Sequence, residues 1–167
     1  MSAPPLRRRG RRLTSIVAIG LLATLVGCGV VPADTDDTLD RVTGGDLRVG
    51  ITHNPPWTDT SGSSARPSGT EVDLVEHLAD ELDAEIVWTE SSEAALAEAL
   101  NRGDLDLAIG GFTDDTPWTE LAAITTPYTE AADPYGTVKK HVLLTRMGEN
   151  RFLVTTEQFL REHGSDR

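Results

Sequence analysis

Gly103-Asp104-Leu105-Asp106-Leu107-Ala108-Ile109-Gly110-Gly111-Phe112-Thr113 is the stretch whose reading decides the fold. Leu105 to Ile109 ends in an unbroken apolar run, the pattern of a strand covered on both faces. The Gly110-Gly111 pair suits either a tight turn that needs glycine dihedrals or a loop whose backbone N–H groups approach a ligand. A strand buried on both faces needs helices on each side of its sheet, so the flanking segments should alternate between strand and helix.

They do. Upstream, Leu47-Arg48-Val49-Gly50-Ile51 alternates as a strand, and Thr52 to Ser68 is a Pro/Gly/Ser/Thr-rich loop. A helix follows over about Thr70–Leu82, with Val72, Val75, Leu78, Ala79 and Leu82 on one face and Glu71, Asp73, Glu76, Asp80 and Glu81 mostly away from it. Ile86-Val87-Trp88 is a second strand, with Trp88 directed to the core. Ser91 or Ser92 caps a helix through Leu96 and Leu100 that Asn101-Arg102-Gly103 ends. Downstream, Thr116-Pro117 opens a short helix capped by Thr116. Strands near Ala122–Thr125 and Val142–Thr145 and a helix over Glu149–Glu162 complete the chain. This is an α/β fold: a mainly parallel sheet with helices on both faces.

The N-terminus carries a different message. Arg7, Arg8, Arg9, Arg11 and Arg12 precede an apolar run from Leu13 to Val26, which ends in Leu25-Val26-Gly27-Cys28. A basic leader, a short hydrophobic segment and small residues before a cleavage point make a secretory signal. The run of about 14 residues is shorter than the about 20 that a bilayer span needs. Its last four residues resemble the lipobox of bacterial lipoproteins, in which the cysteine takes acyl chains such as palmitate and becomes the new N-terminus. Cys28 is the only cysteine in the chain. The expected organisation is a lipoprotein signal peptide over 1–27, a flexible tether over 28–46 and a single lobe over 47–167. The expected location is the extracytoplasmic face of the cell membrane, with lipid on Cys28 as the anchor.

Removal of residues 1–27 leaves 10 basic residues against 27 acidic ones and a formal charge of −17. Such a surface repels nucleic acid and anionic headgroups. With its thiol committed to lipid, the domain has no internal disulfide to draw on. His53, His77, His141 and His163 show no metal-ligand spacing and read as surface residues. No nucleophile elbow, Walker loop or dinucleotide fingerprint is present, so neither a metal nor a cofactor is expected.

Leu47 to Tyr128 resembles the first lobe of the family 3 extracytoplasmic solute-binding proteins, the amino-acid-type receptors of ABC importers with the type II periplasmic binding fold. Four segments carry the resemblance in the family's order: Leu47–Ile51 with Pro55-Pro56-Trp57, Gly69-Thr70-Glu71-Val72-Asp73-Leu74, Gly103 to Thr113, and Thr126-Pro127-Tyr128. The implied fold is a single lobe of that architecture. Only Thr129 to Lys140 stands where the family has about a hundred residues of second lobe. The resemblance also implies departures in the pocket. Asn54 occupies the position of a ligand-stacking aromatic, Glu93 that of a second aromatic, and Trp118 that of the arginine that grips a ligand's α-carboxylate. Trp cannot supply that two-pronged contact.

The candidate ligand-binding residues are therefore Asn54, Trp57, Glu93, Gly111, Thr113 and Trp118, with Asp114 and Asp115 adding negative charge. Trp57 suits a site wall and core packing alike, and Trp118 is the better exposed aromatic. The expected function is non-enzymatic: a lipid-anchored solute-binding-like lobe, associated with membrane transport, that takes a small polar solute. The alternative is an interaction module docking on a membrane transporter or sensor. An enzyme would need a catalytic carboxylate such as Glu93, which nothing in the sequence singles out.

Overall fold

The computed structural model describes residues 32–62, 66–133 and 135–164. The expected secretory signal, Cys28 and the start of the expected tether lie outside the described residues. In chain order the elements are α1 (Thr38–Val42), β1 (Asp46–Ile51), α2 (Thr70–Glu81), β2 (Glu85–Glu90), α3 (Glu93–Arg102), β3 (Leu107–Ile109), a 3-10 turn (Pro117–Glu120), β4 (Ala123–Ile124), β5 (Thr129–Ala132), β6 (Val138–His141), β7 (Leu144–Thr145) and α4 (Asn150–His163).

The main sheet has the order β2-β1-β3-β7-β4. β1 is parallel to both β2 and β3, whereas β7 runs antiparallel to β3 and to β4. Strand alternation sorts the two layers. Leu47, Val49, Ile51, Leu107 and Ile109 join α2 and α4 in one apolar cluster, and Ala108 and Leu144 join Leu96 and Leu100 of α3 in the other. A Cβ on Gly50 would lie 2.7 Å from side-chain carbons of both Leu96 and Leu105, so glycine is what lets α3 seat against β1. Ser92 caps α3 by accepting from Ala95 N.

Three differences from the sequence reading have clear causes. First, the folded unit begins at Pro32, so the expected tether of 28–46 is folded over most of its length. Val42 is fully buried, and two carboxylates hold this segment to α4. Glu149 accepts from Asp36 N (3.0 Å) and Thr38 N (3.1 Å), while Asp34 accepts from Leu39 N (2.8 Å), Arg151 N (2.6 Å) and Phe152 N (3.0 Å). Each carboxylate thus satisfies amides at the start of the other's helix.

Second, β3 is shorter than Leu105–Ile109, because the buried Asp106 side chain takes over the local bonding. It accepts from Arg48 N (3.0 Å), Nε (3.1 Å) and Nη2 (2.6 Å) and also pairs with Arg41, tying α1 to β1. Third, the return strand expected over Val142–Thr145 is confined to Leu144–Thr145, and the connector before it is a hairpin, β5–β6. That hairpin is sewn to the loop after β3. Thr113 bridges His141, Asp114 N donates to the Lys140 carbonyl (2.9 Å), and Val142 N donates to the Phe112 carbonyl (3.0 Å).

Candidate functional site

Because β1, β2 and β3 are parallel, their carboxyl ends share one edge of the sheet. The loops leaving that edge begin at Thr52, Ser91 and Gly110. Ligands of open α/β sheets bind there. A larger hollow of about 440 Å³, rimmed by Asp46, Asp80, Asp83 and Glu85, lies at the opposite, amino edge, where strand geometry offers no such convergence.

The first group on the carboxyl edge is Asn54, Trp57, Gly111 and His141. The Asn54 amide donates from Nδ2 to the Gly110 carbonyl (2.7 Å), and its backbone closes a tight turn with Thr58 (2.9 Å). Gly111 has φ +72°, and a Cβ there would stand 2.5 Å from Trp57 Cδ1 and 2.6 Å from Asn54 Nδ2. Trp57 is half-buried and lies against the His141 ring, with centroids 3.9 Å apart and planes at 31°. Thr113 donates from Oγ1 to Asp115 Oδ1 (2.5 Å), which also receives Lys139 Nζ on its other oxygen (2.5 Å). The Lys139 contact, then the Thr113 hydroxyl, hold the Asp115 carboxyl below the usual carboxylate range. The second group is Glu93 and Trp118, joined by Trp118 Nε1 donating to Glu93 Oε2 at 3.3 Å. Trp118 rests half-buried on the α3-side core.

The sequence placed these side chains in one region, and the structure brings them together as two pairs plus a loop. It corrects the part given to the glycine amides. Gly110 N and Gly111 N donate inward to Glu71 Oε2, at 2.7 and 2.9 Å, so neither amide is offered to a ligand. Glu71 itself, expected to lie mostly away from the apolar face of its helix, is fully buried, and its other oxygen receives the Tyr128 hydroxyl at 2.6 Å. Burial pushes the Glu71 carboxyl above its ordinary range against the pull of these three donors. Burial also raises the Tyr128 hydroxyl, with the Glu71 charge acting in the same sense.

His141 likewise departs from a surface reading. It is 6 % exposed, its Nδ1 has no hydrogen-bond partner, and burial depresses its pKa, offset in part by the Gly111 backbone. The expected Thr116 cap makes no side-chain bond, and its hydroxyl is buried. The signals for Glu71 and His141 were faint: an acid directly after a helix-opening glycine pair with Thr70, and a histidine followed by the apolar Val142-Leu143-Leu144 run.

Chemically, the edge carries Glu93, Asp114 and Asp115, the last already paired with Lys139. It has aromatic walls and carbonyl and hydroxyl acceptors. Among the described residues no group of three or more His, Cys, Asp or Glu side chains has the geometry to hold a metal ion. Beside Trp57, an apolar pocket of about 220 Å³ runs under the hairpin, lined by Pro56, Trp57, Leu74, Tyr128 and Ala131.

The model of the family described as bacterial extracellular solute-binding proteins, family 3, matches residues 47–165. The arginine-bound form of domain 1 from TmArgBP is 23% identical, with a TM-score of 0.64, covering 74% of this chain and 97% of that one. An ancestral cationic amino acid solute binding protein is 16% identical, with a TM-score of 0.67, covering 77% and 94%. A truncated, arginine-bound ArgBP from T. maritima is 14% identical, with a TM-score of 0.63, covering 76% and 99%. At these identities the likeness shows the fold: a single lobe of the type II periplasmic binding architecture. No curated protein matches the chain.

Proposed function

Because the chain belongs to the bacterial extracellular solute-binding proteins, family 3, we propose that it binds a small polar solute, cationic rather than anionic, on the carboxyl edge of its single lobe. The observation that carries this reading is the composition of that edge. Glu93, Asp114 and Asp115 surround a loop whose amides are turned inward to Glu71, and Trp118 stands where a carboxylate-gripping arginine would be needed. A carboxylate ligand would find neither guanidinium nor amide donors there, whereas an ammonium or guanidinium group would find carboxylates and an aromatic face. That one similar structure is arginine-bound and another is named a cationic amino acid solute binding protein agrees with this direction.

The protein acts without catalysis in this reading, in which Glu93, an example of the carboxylate an enzyme would need, accepts from Trp118 Nε1. An extracytoplasmic location follows from the family. Anchoring through acyl chains on Cys28 and association with a membrane transporter complete the proposal, the first supported by the Leu25-Val26-Gly27-Cys28 sequence and the second by the family's role in uptake.

Thermal shift in the presence of amino acids, polyamines and metal ions tests it. A ligand at about 100 times its Kd adds about 2.7 kcal/mol to stability and raises the Tm by several degrees. Arginine or a polyamine should raise the Tm and glutamate should not, with Glu93→Gln abolishing the response. A flat response to all of them would leave the docking alternative, favoured by the hairpin that fills the place of a second lobe.

A further inference from the structure

Asp115, on the carboxyl edge, has both of its carboxylate oxygens engaged. Thr113 Oγ1 donates to Oδ1 at 2.5 Å, and Lys139 Nζ donates to Oδ2 at 2.5 Å. An ammonium group therefore already stands on one of the acids that would receive a cationic solute.

The backbone decides where that ammonium goes. Alternate side chains of a strand share a face. On β6, Lys139 shares the face of buried His141, whose ring lies against Trp57, while Val138 and Lys140 are exposed on the other. Lys140 stands opposite Glu130 of β5, away from the site. β6 is itself pinned to the loop that carries Asp115, because Thr113 bridges His141 and Asp114 N donates to the Lys140 carbonyl at 2.9 Å. These contacts hold the root of Lys139 beside its partner, and the Asp114 charge attracts the same ammonium.

We propose that Lys139 is a built-in competitor of the cationic solute: its ammonium occupies Asp115, and a solute's ammonium or guanidinium group gains that carboxylate only by displacing it. This rests on the reading of the edge as a cation site and adds what sets its affinity. The side chains of Lys139 and Asp115 are 33% and 59% exposed, so the pair is weak enough to open. A closed pair reduces the apparent affinity by the fraction of time that Asp115 is free. For an exposed pair that reduction is about two- to fivefold. A neutral solute does not meet this competition, so the hairpin that stands in place of a second lobe tunes the site for cations through one side chain.

Titration of the full chain with arginine and with spermidine, followed by thermal shift, tests the proposal. Lys139→Met should lower the half-saturating concentration about two- to fivefold for at least one of them. Lys139→Arg keeps a cation at the carboxylate and should stay with the parent chain. Lys140→Met removes the same charge from the outer face, where solvent and salt screen it, and should leave the value nearly unchanged. Lys139→Gln repeats the measurement if the methionine variant loses its unliganded melt. A flat parent beside a responsive Lys139→Met chain would also support the competitor. A responsive parent whose Lys139→Met variant binds no more tightly than it, or than Lys140→Met, would overturn the competitor and leave the solute reading intact. A flat response from every chain, Lys139→Met included, would overturn both.

Discussion

The Tyr128 hydroxyl donates to Glu71 Oε1 at 2.6 Å, so the first turn of α2 holds the segment leading into the hairpin. The same carboxyl group holds Gly110 N and Gly111 N through its other oxygen. One fully buried side chain thereby fixes the loop of the candidate site and the base of the hairpin together. Glu71→Ala strands three donors, two of them buried, and should cost about 3 kcal/mol or more, whereas Tyr128→Phe removes one partner and should cost about 1–2 kcal/mol. Urea denaturation of the three proteins checks the order. Equal losses would mean that the loop amides find other acceptors.

The pH dependence of stability separates Glu71 from His141. The His141 pKa is depressed by burial, so as pH falls through about 6.5 the unfolded chain takes up its proton before the folded one, and stability declines. Glu71 acts oppositely. Its raised pKa keeps its contribution whole below the ordinary carboxylate range and loses it as pH rises through the shifted value. His141→Phe should flatten the acid-side slope, and Glu71→Gln the slope on the other side. Thermal melts between about pH 4 and 8 measure both.

Elements were legible where periodicity and punctuation agreed. The Val72-Val75-Leu78-Ala79 spacing marked α2, and Ser92 with Gly103 bounded α3 as cap and stop. That the loops leading from β1, β2 and β3 share one edge of the sheet was legible, because parallel strands send the loops after them the same way. What escaped reading was polar burial. Glu71, Asp106 and Glu149 look like solvated acids in a strongly acidic chain, and only tertiary contacts supply the amides and arginines that make their burial tolerable. Asp34 and Asp36 look like part of a tether for the same reason: their partners lie more than a hundred residues away.

The reciprocal capping by Asp34 and Glu149 makes a local prediction. Glu149→Ala removes acceptors from Asp36 N and Thr38 N, and Asp34→Ala removes them from both α1 and α4. Each should cost about 1–2 kcal/mol. The double variant should lose less than the sum, since either change already releases the same segment. Limited proteolysis should show cleavage moving into 32–45 in all three, and protection of that stretch in any of them would count against the pairing.

Gly111→Ala tests the close packing of the loop. The new Cβ would meet Trp57 Cδ1 at 2.5 Å on a backbone with φ +72°. The substitution should cost about 1–3 kcal/mol and shift Trp57 off His141, changing the fluorescence that the stacked imidazole influences. Gly136→Ala, also at positive φ but with open space around it, is the control for backbone strain alone.

Replacing a closing jaw by a hairpin stitched to residues 112–114 has a kinetic consequence. A visitor resting on one wall departs without waiting for any hinge to swing, so its dwell time is set by contact strength alone. At association rates near diffusion and millimolar affinity, that dwell is on the order of microseconds. On the solute-binding reading proposed above, the lobe would sample its surroundings continuously instead of carrying cargo.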